Sequence, residues 1–155
     1  VKDIRLISSK YSSYTIDQLQ NLNVDQSFED NYSFQFAGNI SCANSKYTKL
    51  KLGALSGNYS LSGFECNTEI VLLKAKSGKI NIDGKYLNTS IGTAGVDFKL
   101  ESSLQYGNLS YPVERCNAKL RENGTTSTAS LSTKNIAAEF YTINVTGYEV
   151  SFNLR

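Results

Sequence analysis

The sequence predicts an α+β fold, in which an N-terminal amphipathic helix packs on a mainly antiparallel β-sheet or β-sandwich headpiece. Within the first 14 residues, apolar side chains recur three and four positions apart, which is helix spacing. From residue 32 onward, short apolar runs alternate with polar residues at a period of two, which is strand spacing. We therefore expect one domain over residues 1–155, with a helix and its exit segment at 1–22 and a β-rich headpiece at 32–154.

The helical signal lies in the opening stretch VKDIRLISSKYSSYTIDQL. An isolated helix of this length is marginal in water, so its apolar stripe needs a surface to dock on. We expect the stripe to pack on the headpiece, with its first turn the least buried. The docking residues predicted in this way are Val1, Ile4, Ile7, Tyr11 and Tyr14.

The β-rich part carries eight or nine strand signals separated by turn signals. The dipeptide Asp83-Gly84 predicts a two-residue hairpin, and Thr146-Gly147 predicts a second one near the end of the chain. The Ser- and Thr-rich segment 123–135 has low hydrophobicity and reads as a loop. We find no internal repeat and no linker to a second domain.

Composition argues against several classes of function. The formal net charge of +2 is too small to indicate nucleic acid as a partner. The chain has no histidine, which removes Ser-His-Asp and Cys-His catalysis and His-ligated metal sites. No glycine-rich phosphate loop is present. We therefore predict a protein that is not an enzyme, with no catalytic residue, no cofactor and no metal ligand.

Three cysteines, at 42, 66 and 116, allow at most one intramolecular disulfide, and three pairings are possible. We prefer Cys42 with Cys66, because each follows an apolar, strand-like run, and this leaves Cys116 over. Closing that loop would stabilise the fold by about 3–4 kcal/mol in the chain-entropy model. The alternative is three reduced thiols buried in the core.

Seven Asn-x-Ser/Thr sequons are present, which is many for a chain of this length. They fit a secreted eukaryotic or viral glycoprotein, and they fit equally an Asn- and Ser-rich strand protein from a bacterium that never glycosylates them. Both interpretations predict an extracellular or cell-surface location. The candidate glycosylation residues are Asn31, Asn39, Asn58, Asn88, Asn108, Asn123 and Asn144.

The ten tyrosines are the remaining functional signal. Tyrosine offers a large, fairly rigid contact surface with a polar tip, and it is enriched in binding sites. Tyrosine is also a favourable strand residue. We expect most of the ten to serve the strands.

The stretch ISSKYSSYTIDQLQNL resembles the helix exit of type IV pilin-like proteins, in which tyrosines close the helix and a leucine-bearing segment follows. Tyr11, Tyr14, Leu19 and Leu22 occupy those places. The resemblance implies a minor pilin or pseudopilin headpiece that lacks its hydrophobic N-terminal half-helix. It would be a non-enzymatic subunit of a pilus-like filament or secretion pseudopilus, acting by protein–protein assembly and adhesion. Its partners would be other filament subunits or a surface receptor, and it would reach a membrane only through a removed N-terminal segment.

Two other interpretations stay open. The first is a secreted or viral N-glycosylated β-sandwich domain that binds a receptor or ligand. The second starts from the stretch FQFAGNISC followed by KLKLGAL, which resembles the opening strands of chaperone–usher fimbrial subunits.

Overall fold

The computed structural model describes residues 1–155 and is almost entirely β-sheet, with 69% of residues in strands. The single helical element is a 3₁₀ turn at Val113–Arg115. No helix has the length and apolarity needed to cross a bilayer. The strands are β1 Asp3–Leu6, β2 Ser9–Lys10, β3 Ser13–Val24, β4 Ser27–Phe28, β5 Asn31–Lys46, β6 Lys49–Leu55, β7 Tyr59–Phe64, β8 Asn67–Leu73, β9 Gly78–Lys85, β10 Asn88–Ile91, β11 Phe98–Gln105, β12 Asn108–Ser110, β13 Cys116–Asn123, β14 Thr126–Thr133, β15 Tyr141–Tyr148 and β16 Ser151–Leu154.

The chain winds into coils that stack in parallel register. Ser13 pairs with Asn31, Asn31 with Lys49, and Lys49 with Asn67, so each of these coils takes 18 residues. The next coil takes 21 residues, because Asn67 pairs with Asn88. A fixed number of residues per coil brings each residue type above its equivalent, which is the principle of a β-solenoid.

Every coil contributes one strand to each of two limbs of a single curled sheet. The limbs face each other across the core, since the Tyr59 hydroxyl of the second limb lies 2.8 Å from the Thr68 hydroxyl of the first. The first limb contains, in stacking order, the N-terminal parts of β3 and β5, then β6, β8, β10, β16 and β12. The second limb contains β1 with β2, the C-terminal part of β3 with β4, the C-terminal part of β5, then β7, β9, β15, β11, β14 and β13.

The order of the last coils differs from the order of the chain. After β10, the chain skips one coil position and forms β11, and the C-terminal strands later fill the gap. Strand β15 lies between β9 and β11, and β16 lies between β10 and β12. The antiparallel hairpin β13–β14 ends the second limb by pairing with β11. The C-terminal segment is therefore an internal part of the solenoid.

Alternate residues of both limbs point into one core. The core cluster contains 32 buried residues drawn from every coil. Full burial of an aliphatic or aromatic side chain stabilises a fold by about 1.5–3 kcal/mol, so the coils are held together mainly by this shared interior. The largest side chains with almost no exposed surface are Tyr32, Tyr59, Phe98, Tyr141 and Phe152.

The predicted N-terminal helix is wrong, because residues 3–24 form β1, β2 and β3. Tyr14 and Ile16 lie two apart on the first limb, and Leu22 and Val24 lie two apart on the second. The corner between the limbs places Leu19 three residues from its apolar neighbour on either side. The spacing that predicted a helix joins residues of different elements, because Ile4 lies on β1, Tyr14 lies on β3, and Ile7 and Tyr11 lie in the bends between strands.

The predicted docking stripe is wrong for the same reason. Val1, Ile7 and Tyr11 are exposed, each by 68% or more. Ile4 and Tyr14 are half-buried against the core, but as inward-facing strand residues. The predicted antiparallel sheet is also corrected, since the antiparallel pairs are those of β14 with β11 and with β13.

Both predicted hairpin turns lie inside straight strands. Asp83 and Gly84 belong to β9, Thr146 and Gly147 belong to β15, and the two dipeptides are paired across neighbouring strands. A Cβ atom at position 147 would clash with the Gly84 carbonyl oxygen, so close backbone approach requires glycine there. The predicted loop at 123–135 contains instead the turn of the β13–β14 hairpin and strand β14.

We expect Gly147→Ala to lower the free energy of unfolding by about 2–3 kcal/mol, because the added methyl group meets the Gly84 backbone. The matched control is Gly95→Ala. It also has a positive φ, 78°, but faces open space, and should cost about 1 kcal/mol. Chemical denaturation of both variants checks the insertion of β15 beside β9. Equal losses for the two variants would contradict this placement.

Candidate functional site: an aromatic spine along one corner

Each coil turns from the second limb into the first limb of the next coil through one residue in the left-handed backbone region. Tyr47 has a φ of 53° and Glu65 a φ of 49°. The Tyr47 amide donates to the Phe64 carbonyl at 3.0 Å, and the Glu65 amide donates to the Lys85 carbonyl at 2.9 Å. The corners thus stack through continuous backbone hydrogen bonds. In stacking order, the left-handed residues are Tyr11, Glu29, Tyr47, Glu65, Tyr86, Glu149 and Tyr106.

These corners are of two kinds. In the first kind, lysine or glutamine precedes a left-handed tyrosine, at 10–11, 46–47, 85–86 and 105–106. In the second kind, an aromatic residue precedes a left-handed glutamate, and these corners are 28–29, 64–65 and 148–149.

In the stacked molecule the two kinds alternate without exception. Along the chain they do not, because the corners at Tyr86 and Tyr106 follow each other and are of the same kind. The inserted C-terminal coil places Tyr148 and Glu149 between them and restores the alternation.

The alternation produces a ladder of aromatic rings, which we name the aromatic spine. Neighbouring rings meet edge to face, with centroids 5.4–5.8 Å apart and planes 79–89° apart. Aromatic pairs of this geometry contribute about 0.5–1.5 kcal/mol each beyond the area that they bury. In stacking order the spine is Tyr11, Phe28, Tyr47, Phe64, Tyr86, Tyr148 and Tyr106.

The spine is open to solvent along its length. Tyr47 and Tyr86 keep 41% and 42% of their surface exposed, and Tyr106 and Tyr11 keep 58% and 71%. The other three rings are half-buried. A contiguous exposed apolar surface of this kind is uncommon on monomeric soluble proteins, and it typically marks an interaction site.

Opposite charges line the two flanks of the spine. The lysine column, on the second-limb side, is Lys10, Lys46 and Lys85, which stack in line with Phe28, Phe64 and Tyr148. The glutamate column, on the first-limb side, is Glu29, Glu65 and Glu149, which stack in line with the spine tyrosines.

All six of these charged residues are exposed. The two ion pairs of the molecule, Arg5 with Asp25 and Lys51 with Glu69, lie elsewhere. The six residues of the two columns therefore form no ion pair within the molecule. Desolvation, the Glu149 carboxylate and the tyrosines on either side all raise the pKa of Tyr148, which favours its neutral form.

Five of the ten tyrosines lie on the spine, and the other five lie elsewhere in the fold. The other five include the core residues Tyr32, Tyr59 and Tyr141, as expected of strand tyrosines. The repeat that creates the spine was not predicted from the sequence. Its signal was available, since Lys10-Tyr11, Phe28-Glu29, Lys46-Tyr47 and Phe64-Glu65 recur at intervals of 18 residues.

A second cluster of polar groups surrounds Asp30, which has no exposed surface. One carboxylate oxygen accepts from the Ser12 amide at 2.8 Å, and the other accepts from the Ser27 hydroxyl at 2.6 Å and the Tyr32 hydroxyl at 3.4 Å. Burial raises the pKa of Tyr32 well above its usual value, so it stays a donor. With its oxygens satisfied by neighbours, Asp30 ties the corners of successive coils together and has a structural role.

The three cysteines are free, buried thiols in this structure. Burial and the neighbouring Cys66 raise the pKa of Cys42 to about 12. Burial also raises the pKa of Cys66 and of Cys116, and at Cys116 the nearby Arg115 and Lys134 oppose that effect. The Cys42–Cys66 disulfide stays a prediction.

The candidate glycosylation residues all lie on the exterior. In most of the sequons the asparagine and the Ser or Thr point outward, and the middle residue, such as Ile40 or Tyr59, points into the core. Strand alternation with small polar outer residues therefore generates sequons by itself. Asn39 is already engaged, since its amide donates to Asn21 at 2.9 Å and accepts from the Asn58 amide at 2.8 Å.

The surface also carries clefts away from the spine, among them one on the first limb and one at the C-terminal end of the solenoid. A shallow cleft of about 460 Å³ crosses the outer face of the first limb, where Asn31, Lys49, Asn67 and Asn88 form one column. A smaller cleft of about 260 Å³ lies beside Leu109 at the C-terminal end of the solenoid. Lys51 and Glu69, which also line the first cleft, are joined to each other in an ion pair at 3.6 Å.

Comparison with protein-family profiles, with curated proteins and with solved structures finds no match to this chain.

Thiol counting tests both the cysteine environment and the predicted disulfide. We expect the native protein to react slowly with an alkylating reagent at about pH 8, because burial and raised pKa values keep the thiols protonated, with faster reaction as pH rises. After unfolding without reductant, a count of three reactive thiols would show that all the cysteines are free, as in this structure, and would contradict the predicted disulfide. A count of one thiol would show instead that two cysteines are joined, and peptide mapping would identify them.

Proposed function

We propose that the protein is a non-enzymatic extracellular or cell-surface subunit that acts by protein–protein assembly, with the aromatic spine as its contact surface. The observation that carries the proposal is the spine itself, a continuous row of exposed aromatic rings between a lysine column and a glutamate column. Aromatic side chains are enriched in protein interfaces, where they dominate the binding energy.

The spine is suited to binding because it is already rigid. Each ring lies beside a left-handed corner residue whose amide is hydrogen-bonded to the next coil, as for Tyr86, whose amide donates to the Tyr148 carbonyl at 2.9 Å. Side chains that are ordered before binding lose little conformational entropy on association. The surface therefore keeps more of its interaction energy as affinity.

Assembly is also the function expected from the sequence, but the contact surface proposed for it, the aromatic spine, comes from the structure. The resemblance to type IV pilin-like proteins depended on a helix containing Tyr11 and Tyr14, and those residues lie on strands or corners. Tyr11 is instead the first ring of the spine.

Hydroxyl-radical footprinting tests the proposal and does not require the partner to be identified. We expect Tyr47 and Tyr86 to be oxidised more slowly in natively sourced, assembled material than in dilute purified protein, because a partner covers their rings. Tyr111, half-buried at the end of the solenoid and outside the spine, is the internal control and should be oxidised equally in both samples. Mass spectrometry measures each rate.

Equal oxidation of the spine tyrosines in the two samples would contradict the proposal. A matched pair of variants adds a second readout. Tyr47→Ser with Tyr86→Ser should reduce the amount of protein retained in the assembly, whereas Val113→Ser, at another exposed apolar residue, should not.

A further inference from the structure

We infer that the partner on the aromatic spine is a second copy of this chain, docked about a two-fold axis that runs parallel to the spine. The inference rests on the proposed function and names the partner that the charges on the two flanks favour.

The charges on the two flanks of the spine favour a two-fold axis parallel to it. A two-fold axis parallel to the spine exchanges the two flanks but keeps the height of each coil. The lysine column of one copy then faces the glutamate column of the other, and the reverse holds on the other side. A two-fold axis across the spine would instead place lysine column against lysine column, which is repulsive. Of these two self-complementary arrangements, only the parallel one matches the charges.

The position of each group within the columns supports the same arrangement. At a lysine–tyrosine corner, Lys46 of one copy comes opposite Tyr47 of the second copy. In that same column, Glu29 and Glu65 of the second copy lie one coil below and one coil above Tyr47. An ammonium group over a tyrosine ring gains a cation–π attraction, and the two neighbouring carboxylates add to it. Lys85 has the equivalent surroundings, with Tyr86 between Glu65 and Glu149.

Highly charged partners of a single sign match the two columns less well than a second copy does. A polyanion is repelled by the glutamate column, and a polycation is repelled by the lysine column. A second copy satisfies both columns at once. The formal net charge of +2 opposes self-association only weakly.

A charge-exchange experiment tests the inference. The first variant, Lys46→Glu with Lys85→Glu, gives the lysine column a net negative charge and leaves only Lys10 basic. The second variant, Glu65→Lys with Glu149→Lys, gives the glutamate column a net positive charge and leaves only Glu29 acidic. We expect the wild-type protein to form dimers in sedimentation velocity over a concentration series. Each variant alone should show a dissociation constant at least about tenfold higher, and an equimolar mixture of the two should again form dimers.

The control, Lys76→Glu with Lys119→Glu, makes the same change of net charge as the first variant, on exposed residues in the β8–β9 turn and on β13, and should dimerise like the wild type. A wild-type protein that stays monomeric, or a mixture that does not associate, overturns the inference. If the mixture stays monomeric while the spine tyrosines are protected in native assemblies, the second-copy inference fails and the proposed assembly function survives with a different partner. Circular dichroism confirms that each variant is folded before it is compared.

Discussion

At each corner where one coil passes into the next, two contacts join the corner to the coil above. A left-handed residue makes one of them and an aromatic ring makes the other. The amide of that residue donates to a carbonyl of the next coil at 2.8–3.0 Å, and the ring packs edge to face on the next ring. A non-glycine residue in the left-handed region is uncommon and costs free energy, so it persists only where its surroundings compensate. Here the stacked hydrogen bonds and rings supply that compensation. The register of the coils, and with it the shared core, depends on this corner.

The same contact restricts the order in which coils can stack. If the corner at Tyr86 lay directly on the corner at Tyr106, two tyrosines would share one column, and the alternation that brings each ring against the next edge to face would be lost. Insertion of the coil that carries Tyr148 and Glu149 removes this conflict. The glycine column supports the same order, because Gly63, Gly84 and Gly147 approach one another too closely for any side chain. The corners specify that β15 lies between β9 and β11, and the glycine column specifies that β15 lies beside β9.

Part of this structure could be predicted from the sequence. The strand spacing predicted from residue 32 onward is confirmed, for example by buried Tyr32 and Phe34 on β5 and buried Phe98 and Leu100 on β11, because strand alternation is a local property. Whether the strands pair in parallel or antiparallel could not be predicted in this way, because it depends on residues that are far apart in the chain. Asp83-Gly84 has the chemistry of a hairpin turn, but glycine there serves close packing between parallel strands. The apparent N-terminal helix arose because Ile4 and Tyr14 lie on different strands and Ile7 and Tyr11 lie in the bends between strands, so that a spacing of three and four crosses several short elements. The aromatic spine was also missed, because its rings are 17 or more residues apart in the chain.

The central claim is that the corners set the coil order, and disulfide trapping tests it most directly. Asn81 of β9 and Asn144 of β15 are paired on the outer face, with an amide nitrogen to oxygen distance of 3.2 Å. In a variant with the native cysteines replaced, Asn81→Cys with Asn144→Cys should form a disulfide in high yield under mild oxidation, since paired strand positions fall within disulfide range. Asn81→Cys with Glu101→Cys should not, because β15 separates β9 from β11. Efficient linking of Asn81→Cys to Glu101→Cys, with none to Asn144→Cys, would mean that the coils stack in chain order and would contradict the account.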